Sequence, residues 1–332
     1  MAFTTGTASD YHDLLDKLRL YLVAQGWTQL AWTAPAALTD IATLHMRAPG
    51  AGAGKQVFFS VKTSNDPVQS QYSWELRTAV NYDAALGWGL QVGQSPGEVY
   101  FNLWENSIDY WFFVNDRRVV VVAKCSTNYI SMHAGFFLPW GTPAQYPFPL
   151  FVAGDFFETQ PHSYNYAARR MFVDGGHYSA SATGDPRASA AARSATGIWY
   201  PTGNHGRSTN NNYAEGMGKG QRALLWPYHP GYGGQGSQGA FENTRWGGGS
   251  GTGSQASGFE TLVPTQQNER ALFPVMIMPG DQAPLGVLDG VYGVGGSGLA
   301  AEQQITIGAR NFRVFQNISR NSPDDFFCVE EI

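Results

Sequence analysis

The side chains able to do chemistry in this 332-residue chain are scattered, not grouped. Seven histidines stand at His12, His45, His133, His162, His177, His205 and His229. No two fall at the HxH, HxxxH or HExxH spacing that turns a pair of imidazoles toward one metal ion. His205 and His229, in Gly/Asn-rich surroundings, are the two to watch. Cys125 and Cys328 lie outside any CxxC spacing, so no zinc or dithiol motif is present. Buried free thiols are the favoured reading, and one long-range disulfide is the alternative under oxidising conditions. No GxSxG elbow and no Cys-His signature occurs. Asp155, Glu158, Asp174 and Asp185 fall in an irregular stretch that could place a carboxylate pair for glycoside cleavage. Surface or turn carboxylates are the plainer expectation for all four.

Two glycine-rich strings look like nucleotide motifs and fail on detail. "GAGAGK" (50–55) would need Gly at position 49 and Ser or Thr at position 56 to make a phosphate loop; Pro49 and Gln56 stand there. It reads as a hairpin tip between strands. "GVYGVGGSG" (290–298) is followed by "LAAEQQITIG", too short for the crossover helix of a dinucleotide fold. What remains is aromatic. Trp199, Tyr200, Trp226, Tyr228, Tyr232 and Trp246 sit among Gly, Asn and Ser and could stack on sugars or on a partner. Packing of these loops against the core or a neighbouring subunit is the competing and favoured reading.

The elements that would carry these groups are mainly strands. One helix is clear in "SDYHDLLDKLRLYLVAQGW", where Tyr11, Leu14, Leu15, Leu18, Tyr21 and Leu22 share a face. Ser9 or Asp10 caps its start, Asp13 suits its first turn, and Gly26 stops it. Period-two segments follow at 27–33, 42–48, 56–62, 71–80, 97–105 and 127–139, and again at 271–279, 286–294, 303–318 and 325–331. Helices do not alternate with them, which argues against a doubly wound fold. "DYWFFVNDRRVVVVAK" (109–124) reads as the central hairpin, turning at Asn115-Asp116 with both arginines keeping the tip in water. "VVVVA" is apolar on both strand faces, so both faces need cover, one side being packed by the helix or by the Pro-rich segment. A second hairpin turns at Gly308 to Asn311.

The fold class expected is therefore mainly β: an antiparallel sheet or sandwich with one N-terminal amphipathic helix and long Gly/Asn-rich loops. Residues 1–173 form the helix plus β core, 174–258 the loop region, and 259–332 a C-terminal β segment on the same core. Pro139–Pro149 reads as ordered irregular chain, and 228–258 as exposed or neighbour-bound.

Charged residues make up only 14% of the chain, against about 25% in ordinary domains. Such a surface loses little on entering permanent subunit contacts. A net charge of −5 argues against a broad nucleic-acid face. Arg117-Arg118 and Arg169-Arg170 are read as solvated turns or ion pairs. The N-terminus lacks the basic and apolar regions of a signal peptide. "WFFV" and "VVVVA" fall far short of the roughly 20 residues of a membrane helix. A soluble protein made in a cytoplasm is expected.

Three separated segments carry a resemblance: "FTTGTASDYHDLLDKLRLYLVAQGW" (3–27), "YWFFVNDRRVVVVAKCSTNYISMHAGFFLPWGTPAQYPFPLFV" (110–152), and "LDGVYGVGG" (288–296) with "EQQITIGARNFRVFQNISRNSPDDFFCV" (302–329). Together these resemble virion structural proteins of tailed bacteriophages, the middle segment being the most specific. The resemblance covers about half the chain and leaves out 174–258. It implies a non-enzymatic tail component (baseplate, tail tip, neck or collar), carried in the virion and assembled in the host cytoplasm. It implies a homo-oligomer of cyclic symmetry in contact with other virion proteins, with no cofactor and no catalytic residues. A receptor- or glycan-binding fibre or decoration protein, using the aromatics of 199–246, is the alternative; a particle-bound hydrolase ranks last.

Overall fold

In chain order, strand β1 (Ala2–Ala8) leads into helix α1 (Tyr11–Ala24). Next come β2 (Thr28–Thr33), β3 (Thr43–Arg47), β4 (Phe58–Asp66), β5 (Gln71–Ala79) and β6 (Val99–Leu103). Then follow β7 (Ile108–Val114), β8 (Arg118–Cys125), β9 (Asn128–Phe136), β10 (Leu138–Pro139), β11 (Leu150–Gly154), β12 (Ala190–Arg193) and β13 (Trp199–Thr202). The last are β14 (Ala223–Trp226), β15 (Leu272–Pro279), β16 (Gly286–Val294), β17 (Gln304–Ile307), β18 (Arg310–Gln316) and β19 (Phe326–Glu331). This computed structural model describes residues 2–50, 55–95, 99–155, 190–202, 223–226, 272–279, 284–294, 298–316 and 326–331.

The strands form three antiparallel sheets. The central one runs β1-β7-β8-β9-β11-β12-β13. A five-stranded sheet, β2-β3-β4-β5-β6, covers one face together with α1. A C-terminal sheet, β14-β15-β16-β19-β18-β17, covers the other, with β10 paired to β16. The alternation inside the central hairpin explains the arrangement. Tyr110, Phe112, Val114, Val119, Val121 and Ala123 point into the first core, among Leu14, Leu18, Phe59, Trp74 and Phe101. Trp111, Phe113, Val120 and Val122 point into the second, among Val275, Ile277, Val291, Phe315, Phe327 and Val329. Each such aromatic or branched side chain contributes about 1.5–3 kcal/mol on leaving water, so neither face is stable uncovered. Cover comes from both sources expected: α1 on the first face, and Tyr146 of the Pro-rich segment in the second core beside Phe137.

Helix α1 forms as its sequence predicts. Asp10 is the N-cap, its carboxylate accepting from the amides of His12 (2.8 Å) and Asp13 (2.9 Å). Asp13 accepts from the Ser9 amide and pairs with Lys17 one turn on. Gly26, at φ +85°, takes the left-handed step that ends it. The tip of the β17–β18 hairpin is tighter than expected. Ile307 pairs with Arg310, leaving Gly308-Ala309 as a two-residue loop with Gly308 at φ +62°.

Three corrections follow from the fold. The tip of the central hairpin is not kept in water by both arginines: Arg118 is 0% exposed and Arg117 bonds to Asp289. Asn115 and Asp116 do not use positive φ there; the Asn115 carbonyl oxygen Oδ1 accepts from the amides of Arg117 and Arg118 and shapes the turn. Five strands escaped the sequence reading: β1, β11, and β12, β13 and β14, the last three within the 174–258 stretch expected as loops. β1 was hidden by its Thr and Gly content, and β11 by the prolines before it. β3 and β4 pair antiparallel and Ala48 N bonds to Val57 O beyond them, while 51–54, the expected hairpin tip, lie outside the described residues.

Candidate functional site

Among the described residues, four groups of polar side chains bear most directly on a possible site. The first is deep. Arg118 opens β8 and faces the C-terminal sheet, where Asp289 stands alone among apolar neighbours in "GVLDGVYGV". Asp289 accepts from Asn115 Nδ2 (2.8 Å) and Arg117 Nε (3.0 Å), and its carboxylate lies 3.6 Å from Arg118 Nε as an ion pair. Burial alone would raise the Asp289 carboxyl, but the two guanidinium groups and these bonds hold it below its ordinary value. Burial likewise lowers Arg118, which Asp289 and Glu330 oppose.

His133 completes this cluster. It is fully buried on β9, its ring edge-on to Phe151 at 5.2 Å. Among the described residues neither ring nitrogen has a hydrogen-bond partner. Burial first, and Arg118 second, push its pKa down to about 3, so it is a neutral wedge at ordinary pH. Gly135, opposite Arg118 in the ladder, makes the close approach possible. At φ +139°, a Cβ there would lie 2.4 Å from the Arg117 carbonyl oxygen and 2.5 Å from the Arg118 Cα. The cluster ties the central sheet to the C-terminal sheet.

The second place is the outer face of the five-stranded sheet. Glu75 accepts from Arg77, Lys62 and Trp88 Nε1 (2.7 Å). Trp88 in turn lies under the Lys62 and Arg77 cations, with His45 5.8 Å away. Gln91 ties the same loop to Asp83 and Leu86. Every strong donor here already has an acceptor. The third is Asp155, whose carboxylate accepts from the amide and hydroxyl of Ser131 (2.6 and 2.5 Å). It is 1% exposed and pins β9 to the end of β11. The surface or turn carboxylate expected at Asp155 is therefore a buried structural one. Glu158, Asp174, Asp185, His205 and His229 lie outside the described residues.

The fourth place holds part of the predicted aromatic set. Arg193 ends β12 and Trp199 opens β13, directly opposite it in the ladder. The turn between them closes through Ser194 N to Ile198 O (2.7 Å) and Gly197 N to Ser194 O (3.0 Å). Gly197, at φ +87°, leaves room for the guanidinium: a Cβ there would meet Arg193 Nη2 at 2.8 Å. The guanidinium stands 5.8 Å from the centre of the Phe148 ring, and the Tyr146 hydroxyl donates to the Arg193 carbonyl oxygen. Among the described residues Arg193 Nε and Trp199 Nε1 are buried and have no hydrogen-bond partner. Burial lowers the Arg193 pKa and the Tyr146 hydroxyl opposes that. The group is a half-buried cation over the Phe148 ring, and both Phe148 and Trp199 pack against the first core.

Tyr200 does not join it. It is 3% exposed and packs into the second core, so it offers no face for stacking. Trp226 lies on β14, and Tyr228, Tyr232 and Trp246 fall outside the described residues, as does all of 228–258. Sequence reasoning missed Arg193 and Phe148. The available signal was one arginine in "SAAARSATG", a stretch otherwise small and uncharged. Cys125 and Cys328 are both free and buried, and burial raises both thiols. Among the described residues no group of three or more His, Cys, Asp or Glu side chains is placed to hold a metal ion. No family model matches this chain, and no curated protein matches it significantly.

Proposed function

We propose that this chain is a non-enzymatic structural subunit of a tailed-phage virion, placed in the tail at the baseplate, tip, neck or collar. It assembles with copies of itself under cyclic symmetry and with other tail proteins, inside the host cytoplasm. The observation that carries this reading is where the three resembling segments lie. They supply β1 and α1, the central hairpin with β9 to β11, and β16 to β19 of the C-terminal sheet, which together form most of the frame on which the sheets stack. A frame built from one doubly buried sheet is rigid, and its sparse charge (14%) makes subunit contacts cheap to desolvate. The net charge of −5 speaks against nucleic acid as a partner. No helix among the described residues is long and apolar enough to cross a membrane. Antibody labelling of purified particles tests the proposal: the expected result is label at one station of the tail, and particles that carry no copy of the chain would sink it.

A second reading has its own observation, the Arg193 guanidinium over the Phe148 ring and opposite Trp199 in the ladder, with no carboxylate partner among the described residues. Here the subunit also contacts a host-surface glycan bearing a carboxylate. Binding of uronate-containing oligosaccharides should be measurable by tryptophan fluorescence and lost in both Arg193→Ala and Trp199→Ala. Equal binding by the variants and the parent would remove the motivation.

A further inference from the structure

Among the described residues the three sheets end on six strands, with the two-residue β10 beside β16, and all but one of these are blunted or short. β13 contains Pro201, which has no amide to donate. β2 is broken by a register shift between Gln29 and Ala31. β6 spends an outward amide on the Asp155 carbonyl (Asn102 N, 3.1 Å). β14 and β17 are four residues each. β1 is different. Its seven residues pair with β7 in unbroken register, from Ala2 opposite Val114 to Ala8 opposite Ile108. The strand "AFTTGTA" has no charge, no proline and no bulge. Its side-chain hydrogen bonds, Thr5 to the Tyr110 carbonyl and Thr7 to Asp109, run inward to β7. A long bare edge of this kind is a template for another strand.

We propose that β1 pairs antiparallel with β1 of a second copy of this chain, joining two central sheets across a two-fold axis at Thr5. This rests on the reading of the chain as a self-assembling subunit and names the surface. An antiparallel pair is what a two-fold axis across an edge produces. Centred on Thr5, it sets Thr5 against Thr5 and Phe3 against Thr7 of the partner. Phe3 and Thr7 share the face toward the C-terminal sheet. The Arg313 guanidinium, 5.7 Å from the centre of the Phe3 ring, is bridged to Glu331, and Asp109, which accepts from Thr7, stands opposite Lys124 in the ladder, so each end of β1 is flanked by charges of both signs. The uncharged strands oppose no like charges, and the Thr-Thr pair adds a favourable cross-strand contact.

Sedimentation of the full chain at several concentrations tests this, with two variants at the exposed Thr5. The parent should show a reversible dimer. Thr5→Lys should weaken it roughly tenfold or more, because two ammonium groups would then face each other across the pair. Its melting temperature extrapolated to low concentration should match the parent's. Thr5→Cys should form a disulfide-linked dimer under mild oxidant, since the native thiols are buried. A parent that stays monomeric, an oligomer indifferent to Thr5→Lys, or Thr5→Cys that does not cross-link would each overturn the proposal. A Thr5-dependent dimer absent from phage particles would instead defeat only the virion reading.

Discussion

Asp289 shows how one side chain can be read from sequence only halfway. A lone aspartate in an apolar strand signals a buried charge, and a buried charge calls for a partner. Which arginine answers it, across 171 residues of chain from Arg118, is settled only when the C-terminal sheet lies on the hairpin. Removing that partner should be costly. Asp289→Asn keeps the shape and leaves Arg118 buried without its counter-charge. We expect a loss of about 3–5 kcal/mol in chemical denaturation, against a much smaller loss if both Arg118 and Asp289 are replaced by apolar residues of similar volume. His133 gives a pH prediction. Its folded pKa of about 3 lies below the ordinary 6.5. Between those values the unfolded chain takes up a proton and the folded chain does not. Stability is thus fully present above pH 6.5 and is lost as pH falls toward 3, at about 1.4 kcal/mol per unit of pKa difference. His133→Leu should flatten this slope. A residual slope remains from His12 and His45, which burial also lowers. An unchanged slope in the variant would contradict the assignment.

At the scale of elements, local signals were sufficient wherever pattern and cap agreed. α1 follows its apolar spacing and its Asp10 cap. Strands such as β5, β16 and β19 fall within a residue of the period-two segments that predict them. β1 and β11 were not legible, because Thr-Gly alternation and a flanking Pro run carry weak strand signals; pairing to β7 and β9 makes them strands. Gly135 was legible as part of a strand, but not as a necessity. Its role exists only because Arg118 approaches from the neighbouring strand. Gly135→Ala should cost on the order of 3 kcal/mol or more, since both a positive φ and backbone atoms oppose the new methyl. A loss below that of an ordinary exposed-strand substitution would show that β9 can relax away from Arg118.

For the whole molecule, the central sheet belongs to both cores, which couples them. Val120 and Val121 are neighbours in sequence and lie in different cores. Val120→Ala and Val121→Ala should each lower stability by about 2 kcal/mol and shift one shared unfolding transition. Two separable transitions, each moved by one variant, would mean that the layers fold independently. Of the aromatic site forecast for 199–246, the structure packs Trp199 half-buried against the first core, takes Tyr200 into the second and adds Arg193 and Phe148. By itself the sequence determined the mainly β class, the helix and its ends, the central hairpin and the need to cover both its faces. These follow from periodicity, capping and the cost of leaving apolar side chains in water. Only the tertiary structure decided which sheet covers which face, which charge meets Arg118, and which edge stays open. Those depend on contacts between residues far apart in the chain, and no local pattern encodes a partner that arrives from elsewhere.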